Sequence, residues 1–181
     1  MKEWIGYYED VLTSELSENI ALNSKGWKQS TYSNHEGKIK NSLKRVVMQE
    51  TFIKENMTYW VDLLNATKDV VKLYQNKHPY MKYFAPNRCT DFRVNKYEEG
   101  GFMSEHSDGI YHSHGQEYGF PEASLLFFLN DGYEGGEFII ADTMYKPKRN
   151  SAIIFPSNFM FPHSVNKVTK GTRYSIVTWL M

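Results

Sequence analysis

The sequence contains one cysteine, Cys89, six prolines and no excess of either charge. A lone cysteine cannot close an intrachain disulfide, so the fold needs a core rather than staples, and a reducing compartment is expected. The 21 basic residues balance 21 acidic ones. That cancellation argues against a nucleic-acid partner, because a dedicated binder ordinarily carries a basic excess. Long apolar runs are also missing: none reaches the roughly 18 residues of a membrane-crossing helix. The opening residues, MKEWIGYYEDVLTSEL, hold no apolar stretch of the secretory type. A cytoplasmic protein with no membrane partner is the expectation. With 41% hydrophobic and 23% charged residues among 181 positions, the chain is neither disordered nor collagen-like, and its length suits one domain, 1–181. Aromatic residues make up 15%, a richness that suits strands and a ligand-lined pocket.

The two halves of the chain read differently. In residues 1–80 the helical signals dominate. Between Thr51 and Gln75 the apolar positions Met57, Trp60, Val61, Leu64, Val70, Val71 and Tyr74 recur mostly at three- and four-residue intervals, which predicts an amphipathic helix. Lys77, His78 and Pro79 should end it, since proline cannot continue the ladder. A second helix is predicted over 13–22, with short strands at Trp27–Tyr32 and Arg45–Met48. From residue 90 onward the signals are those of strands, punctuated by turns: Asp91–Tyr97, Ser124–Leu129, Glu137–Ala141, Ser151–Phe155 and Arg173–Leu180. Helices first and strands after predict an α+β fold, with the helices buttressing one sheet.

The chemistry is carried by histidine. His106 and Asp108 lie two residues apart at the end of a predicted strand, where side chains at i and i+2 share a face. His163 follows 55 residues after Asp108. Two imidazoles and one carboxylate make the facial set of non-haem Fe(II), which leaves ligand positions open. The His-x-Asp spacing alone is common by chance; its company is not. Ten residues after His163 comes Arg173, with Ser175 two further on in the last predicted strand. An arginine fork holds a remote carboxylate through two hydrogen bonds, and a neighbouring hydroxyl supplies a third. Metal ligands plus a carboxylate clamp describe a site for a 2-oxo diacid.

The segments YEEGGFMSEHSD, SLLFFLNDGYEGGEF and FPHSVNKVTKGTRYSIVTWL resemble, in that order, the core of the Fe(II)/2-oxoglutarate-dependent dioxygenases, specifically the prolyl 4-hydroxylase-like branch. The resemblance covers about residues 91–180 and implies a double-stranded β-helix (jelly roll) over 90–181, with 1–80 as a mostly helical support. It implies that His106, Asp108 and His163 ligate Fe(II), that Arg173 clamps the 5-carboxylate of 2-oxoglutarate, and that Ser175 assists. It also implies that Tyr97, nine residues before His106, donates a hydrogen bond to the co-substrate. With O2 as oxidant the implied reaction is hydroxylation of a peptidyl prolyl residue in a peptide or protein substrate. Two departures stand out: Phe128 occupies a position where some prolyl hydroxylases carry a second co-substrate tyrosine, and Phe138 replaces a threonine often found after Gly-Gly-Glu.

Other readings of the same residues stay open at this point. A small molecule or nucleobase is the alternative substrate, and a jelly-roll binding protein without turnover is the alternative class. His35 and His78 read as surface or capping residues, and His112 and His114 as part of a glycine-rich loop, 109–121, that could close over the site. Lys146, Lys148 and Arg149 read as a solvated cluster. Gly135-Gly136 reads as a strand-entry turn, because no helix pattern or lysine follows it.

Overall fold

In the computed structural model, which describes residues 1–33, 39–40, 42–108 and 120–181, the chain builds two facing sheets with helices on one side. The N-terminal part contributes β1 (Gly6–Tyr8), α1 (Ser14–Asn23), β2 (Lys28–Gln29), β3 (Tyr32–Ser33), β4 (Ile39–Lys40), β5 (Val46–Val47), β6 (Gln49–Ile53) and α2 (Trp60–Gln75). The C-terminal part contributes β7 (Phe92–Tyr97), β8 (Phe102–His106), β9 (Ala123–Phe128), β10 (Glu134–Gly135), β11 (Phe138–Ile140), β12 (Thr143–Tyr145), β13 (Ala152–Pro156), β14 (His163–Val165), β15 (Val168–Lys170) and β16 (Arg173–Leu180). The larger sheet runs β1-β13-β9-β16-β7-β6-β2 and the smaller β12-β11-β14-β8-β5, with every pairing antiparallel. This is the α+β jelly-roll architecture expected from the sequence. None of the described helices is long and apolar enough to cross a membrane.

Each helix forms for a local reason. Thr13 caps α1, its hydroxyl accepting from the Leu16 N–H at 3.1 Å, and Ile20 inserts into the core. Along α2, Leu63, Ala66, Thr67, Val70 and Tyr74 are buried, a stripe at three- and four-residue spacing. The helix begins at Trp60 rather than Thr51, and Met57 and Val61 lie outside the buried stripe. Asn56 and Tyr59 adopt positive φ (69° and 72°), which breaks helical continuity. Thr51, Phe52 and Ile53 instead pair with Val94, Arg93 and Phe92 of β7. A β-branched and aromatic run beside an open sheet edge gains more from pairing than from three extra turns of helix. The first 80 residues therefore supply strands to both sheets as well as helices.

Period-two alternation splits the larger sheet into two environments. Facing the helices are Phe92 and Val94 of β7, Leu125 and Phe127 of β9, and Ile176 and Leu180 of β16, in one cluster with Leu63, Val70 and Tyr74. Facing the smaller sheet are Tyr97, Leu126, Phe128 and Val177, packed with Phe138, Phe155 and Phe161. Arg93 and Asn95 of β7 and Arg173 and Ser175 of β16 alternate onto that second face, and the site is built there.

Candidate active site

β8 and β14 pair so that His106 sits directly opposite His163, the last residue of one strand against the first of the other. Their rings lie 4.3 Å apart between centroids. Asp108, two residues beyond the end of β8, turns back between them: its carboxylate oxygens lie 3.6 Å from His106 Nε2 and 3.5 Å from His163 Nε2. One candidate ligand atom from each of the three residues falls within 4.8 Å of the others. Cross-strand register thus joins His106 to His163, far apart in the chain, while chain continuation supplies Asp108.

The protonation states suit a cation. His106 Nδ1 lies 2.9 Å from the Ser104 carbonyl, and His163 Nδ1 lies 3.0 Å from the Phe161 carbonyl. A carbonyl only accepts, so each neutral ring keeps its proton on Nδ1 and presents the bare Nε2 lone pair toward Asp108. Burial, followed by the nearby His163, pushes the His106 imidazole down to about 4. Burial alone would raise the Asp108 carboxyl, but the two imidazoles and a hydrogen bond from Ser124 outweigh it and hold the group below its ordinary value. Ser124 donates to Asp108 Oδ2 at 2.7 Å, and its oxygen lies 2.6 Å from that of Ser157. Two imidazole Nε2 atoms and one carboxylate, converging on one point, fit a divalent transition metal with open coordination positions.

Deeper between the sheets, Arg173 opens β16 directly opposite Tyr97 of β7. It is fully buried. Its guanidinium carbon lies 5.0 Å from the Tyr97 ring centre and 5.3 Å from that of Phe128, so two aromatic faces flank the cation. Nη1 donates to Ser175 Oγ at 3.0 Å, the i+2 relation placing both side chains on one face. Nε and Nη2, the side-on fork of the guanidinium, find no partner among the described residues. Desolvating a cation without a counter-ion is costly, so the fork fits a carboxylate supplied from outside. Among the described residues the Tyr97 hydroxyl meets only Met103 Sδ, at 4.0 Å, a weak contact that leaves it free for a better acceptor. Around this space, Phe128, Phe138, Phe155 and Phe161 form a dry wall that also backs His163. Opposite it, Arg93 lies over the Trp179 ring at 5.1 Å and reaches toward Glu50 at 3.8 Å.

All six residues named from the sequence, His106, Asp108, His163, Arg173, Ser175 and Tyr97, lie on or at the ends of β7, β8, β14 and β16. Ser124 and Ser157, which hold the Asp108 side of the site, escaped sequence reading. The available signal was a serine on the inward phase of the otherwise apolar β9. His35, His112, His114 and the loop 109–119 lie outside the described residues. His78 caps the short helical turn Pro79–Tyr83, its Nδ1 accepting from the Tyr80 N–H. Lys148 and Arg149 pair with Glu9 and Glu18 at the surface.

Comparison with known proteins places this geometry in context. A PKHD-type hydroxylase of Rippkaea orientalis is 29% identical over 143 residues, covering 75% of this chain and 61% of the relative. Human prolyl 3-hydroxylase 2 is 39% identical over 69 residues, 34% of this chain and 10% of that protein. The chain spans about three fifths of the length of the first of these relatives and less of several others. Among solved structures, a Pseudomonas putida prolyl-4-hydroxylase superposes with a TM-score of 0.70 at 17% identity, covering 98% of this chain and 91% of that one. A viral collagen prolyl hydroxylase from Paramecium bursaria Chlorella virus-1 gives 0.69 at 15%, covering 98% and 95%. These superpositions establish the shared fold. The model of the 2OG-Fe(II) oxygenase superfamily matches residues 92–181, which contain the paired histidines, Asp108 and Arg173, and the chain belongs to that superfamily.

Proposed function

We propose that this chain is an Fe(II)- and 2-oxoglutarate-dependent hydroxylase acting on a peptidyl prolyl residue. The observation that carries the reading is the coexistence, between the same two sheets, of a three-residue metal-ligand set and a fully buried arginine whose side-on fork is unpaired. Either feature alone has other uses. Together they match a co-substrate that chelates a metal at one end and carries a carboxylate at the other.

His106 and His163 would hold Fe(II) through Nε2, and Asp108 through a carboxylate oxygen. When bound there, Fe(II) with 2-oxoglutarate and O2 supplies the oxidising power to hydroxylate an unactivated C–H bond, with succinate and CO2 as co-products. The chain's own residues do the rest. Arg173 fixes the distal carboxylate, with Ser175 and Tyr97 as neutral donors. Ser124 aims Asp108 and adds to the pull of the two imidazoles that favours its ionised form. The phenylalanine wall keeps water from the space behind His163, which strengthens every polar contact in front of it. The prolyl substrate is supported by the relative named prolyl 3-hydroxylase 2, and by the fold shared with prolyl-4-hydroxylase structures.

The test is to load the protein with Fe(II), supply 2-oxoglutarate and O2, and offer a pool of proline-containing peptides beside proline-free controls. Succinate formation should rise with the prolyl peptides, and mass spectrometry should find one added oxygen on proline. Turnover driven only by small molecules or nucleobases would overturn the substrate. No decarboxylation of 2-oxoglutarate under any condition would overturn the oxygenase.

A further inference from the structure

Beside Arg173 lies a second buried group without a partner. Tyr133, in the loop between β9 and β10, is only 5% exposed, and its hydroxyl contacts no acceptor among the described residues. The loop is tied around the arginine by one side chain. Asn130 donates from Nδ2 to the Thr172 carbonyl at 2.7 Å and accepts at Oδ1 from the Tyr174 N–H at 2.8 Å, bonding both chain neighbours of Arg173. Gly136 then leaves the space that brings the two side chains together. Its φ is +65°, and a Cβ built on it would lie 3.1 Å from both Arg173 Cδ and Tyr133 Cε2. Burial raises the Tyr133 phenol above its ordinary pKa, while the Arg173 charge and the hydrogen-bonding approach of the Arg173 side chain to the phenol oxygen pull the other way.

The unpaired groups around this point are donors in surplus: Arg173 Nε and Nη2, and the Tyr133 O–H. No described carboxylate pairs with Arg173. A carboxylate is the complementary group. Its two oxygens meet the side-on fork and still keep lone pairs for a third donor. We propose that Tyr133 is that donor, a co-substrate-binding residue that completes the clamp on the distal carboxylate from the loop after β9. The proposal rests on the reading of Arg173 given above and extends it. Phe128, which flanks the guanidinium with a bare ring, supplies no hydroxyl there, so the loop tyrosine provides what the strand does not.

The experiment is Tyr133→Phe, which deletes one oxygen and keeps the ring. 2-Oxoglutarate and 2-oxopentanoate, which lacks the distal carboxylate, are titrated anaerobically into the Fe(II)-loaded parent and variant, following the charge-transfer absorption. Melting of the ligand-free proteins is recorded alongside. The expected result is a loss of about tenfold in 2-oxoglutarate affinity, the scale of one hydrogen bond to a charge. Binding of 2-oxopentanoate should not change, and ligand-free melting should not fall, because the hydroxyl donates to no acceptor among the described residues. Affinity for 2-oxoglutarate within about twofold of the parent, an equal loss for both acids, or lowered melting would overturn the proposal and leave Arg173 untouched. A parent that does not prefer 2-oxoglutarate over 2-oxopentanoate, with Arg173→Met behaving alike, would instead overturn the clamp itself and Tyr133 with it.

Discussion

The two faces of the seven-stranded sheet are built from the same strands to opposite specifications. On β9, Leu125 and Phe127 face the helices, while Ser124, Leu126 and Phe128 face the smaller sheet. On β16, Ile176 and Leu180 point one way and Arg173, Ser175 and Val177 the other. The helix side is closed by Leu63, Val70 and Tyr74, with Tyr74 donating to the Trp4 carbonyl at 2.6 Å. Its buried hydroxyls without a partner among the described residues, such as those of Ser17 and Thr67, are neutral. The inner side keeps Arg173 with an unpaired fork and Asn95 with a buried, unpartnered amide oxygen. Apolar packing dominates one face, and the buried charge with an unpaired fork lies on the other. A strand's period of two makes the separation available without any change of backbone.

Substitutions on the two faces should fail in different ways. The largest effect is expected from Phe127→Ala on the helix side. It should remove roughly 3–5 kcal/mol of folding stability, because a buried aromatic is lost and a cavity remains. Urea denaturation of the metal-free protein measures it, and a loss below about 1 kcal/mol would erase the contrast between the faces. Arg173→Met comes next. Co-substrate affinity should fall at least about a hundredfold, or ~2.7 kcal/mol, while the ligand-free protein keeps or gains stability, since an apolar side chain of similar length replaces an unpaired buried cation. A variant that binds 2-oxoglutarate as tightly as the parent would remove the clamp. Arg173→Lys should fall between the two, because an ammonium cannot reproduce the planar fork.

Ser124→Ala tests the shared edge of the two environments. Deleting the 2.7 Å bond to Asp108 should weaken metal binding by about tenfold, the lower range for groups that orient a ligand. Isothermal titration with Mn(II) reads this without turnover. Unchanged affinity would mean that Asp108 is held by the fold rather than by the hydroxyl. The smallest expected effect is a pH dependence, modest because the His106 side chain retains 27% of its exposure. The folded imidazole sits at about 4, below its ordinary 6.5, so between those values the unfolded chain binds the extra proton. Stability of the chelator-treated protein should therefore be full above about pH 6.5 and decline as pH falls toward 4. Asp108, also lowered, contributes stability above its ordinary 3.8 and loses it only at still lower pH. His106→Ala should flatten the upper part of that decline. A parent profile that stays level from pH 6.5 to 4 would contradict the buried, neutral imidazole.

Much of this was legible in one dimension because strands of the second half announce themselves locally. Arg173–Leu180 begins and ends where its β-branched and aromatic run does, and β9 reads as a continuous apolar stretch because both of its faces are covered. The long helix was legible only in part. Apolar spacing extends through Met57, but the pairing of Gln49–Ile53 with β7 is a long-range contact, and it captured residues that periodicity had assigned to the helix. The two-residue edge strands β2 and β5 fall within the predicted stretches Trp27–Tyr32 and Arg45–Met48, but are too short for a period to fix their bounds.

The sequence by itself determined the ligand types, the i+2 spacings of His106 with Asp108 and Arg173 with Ser175, and the order of segments that carries the superfamily. Those are properties of neighbours, and a strand converts them directly into shared faces. Only the tertiary structure decided that His163 stands opposite His106, that Ser124 bonds Asp108, and that Tyr133 meets Arg173 across the space Gly136 leaves open. Each of those depends on strand register or on a loop tied down by Asn130. The alternating pattern fixes which face each residue takes. Which strand stands opposite which is settled only when the sheet packs, where a one-residue slip would turn every buried side chain outward.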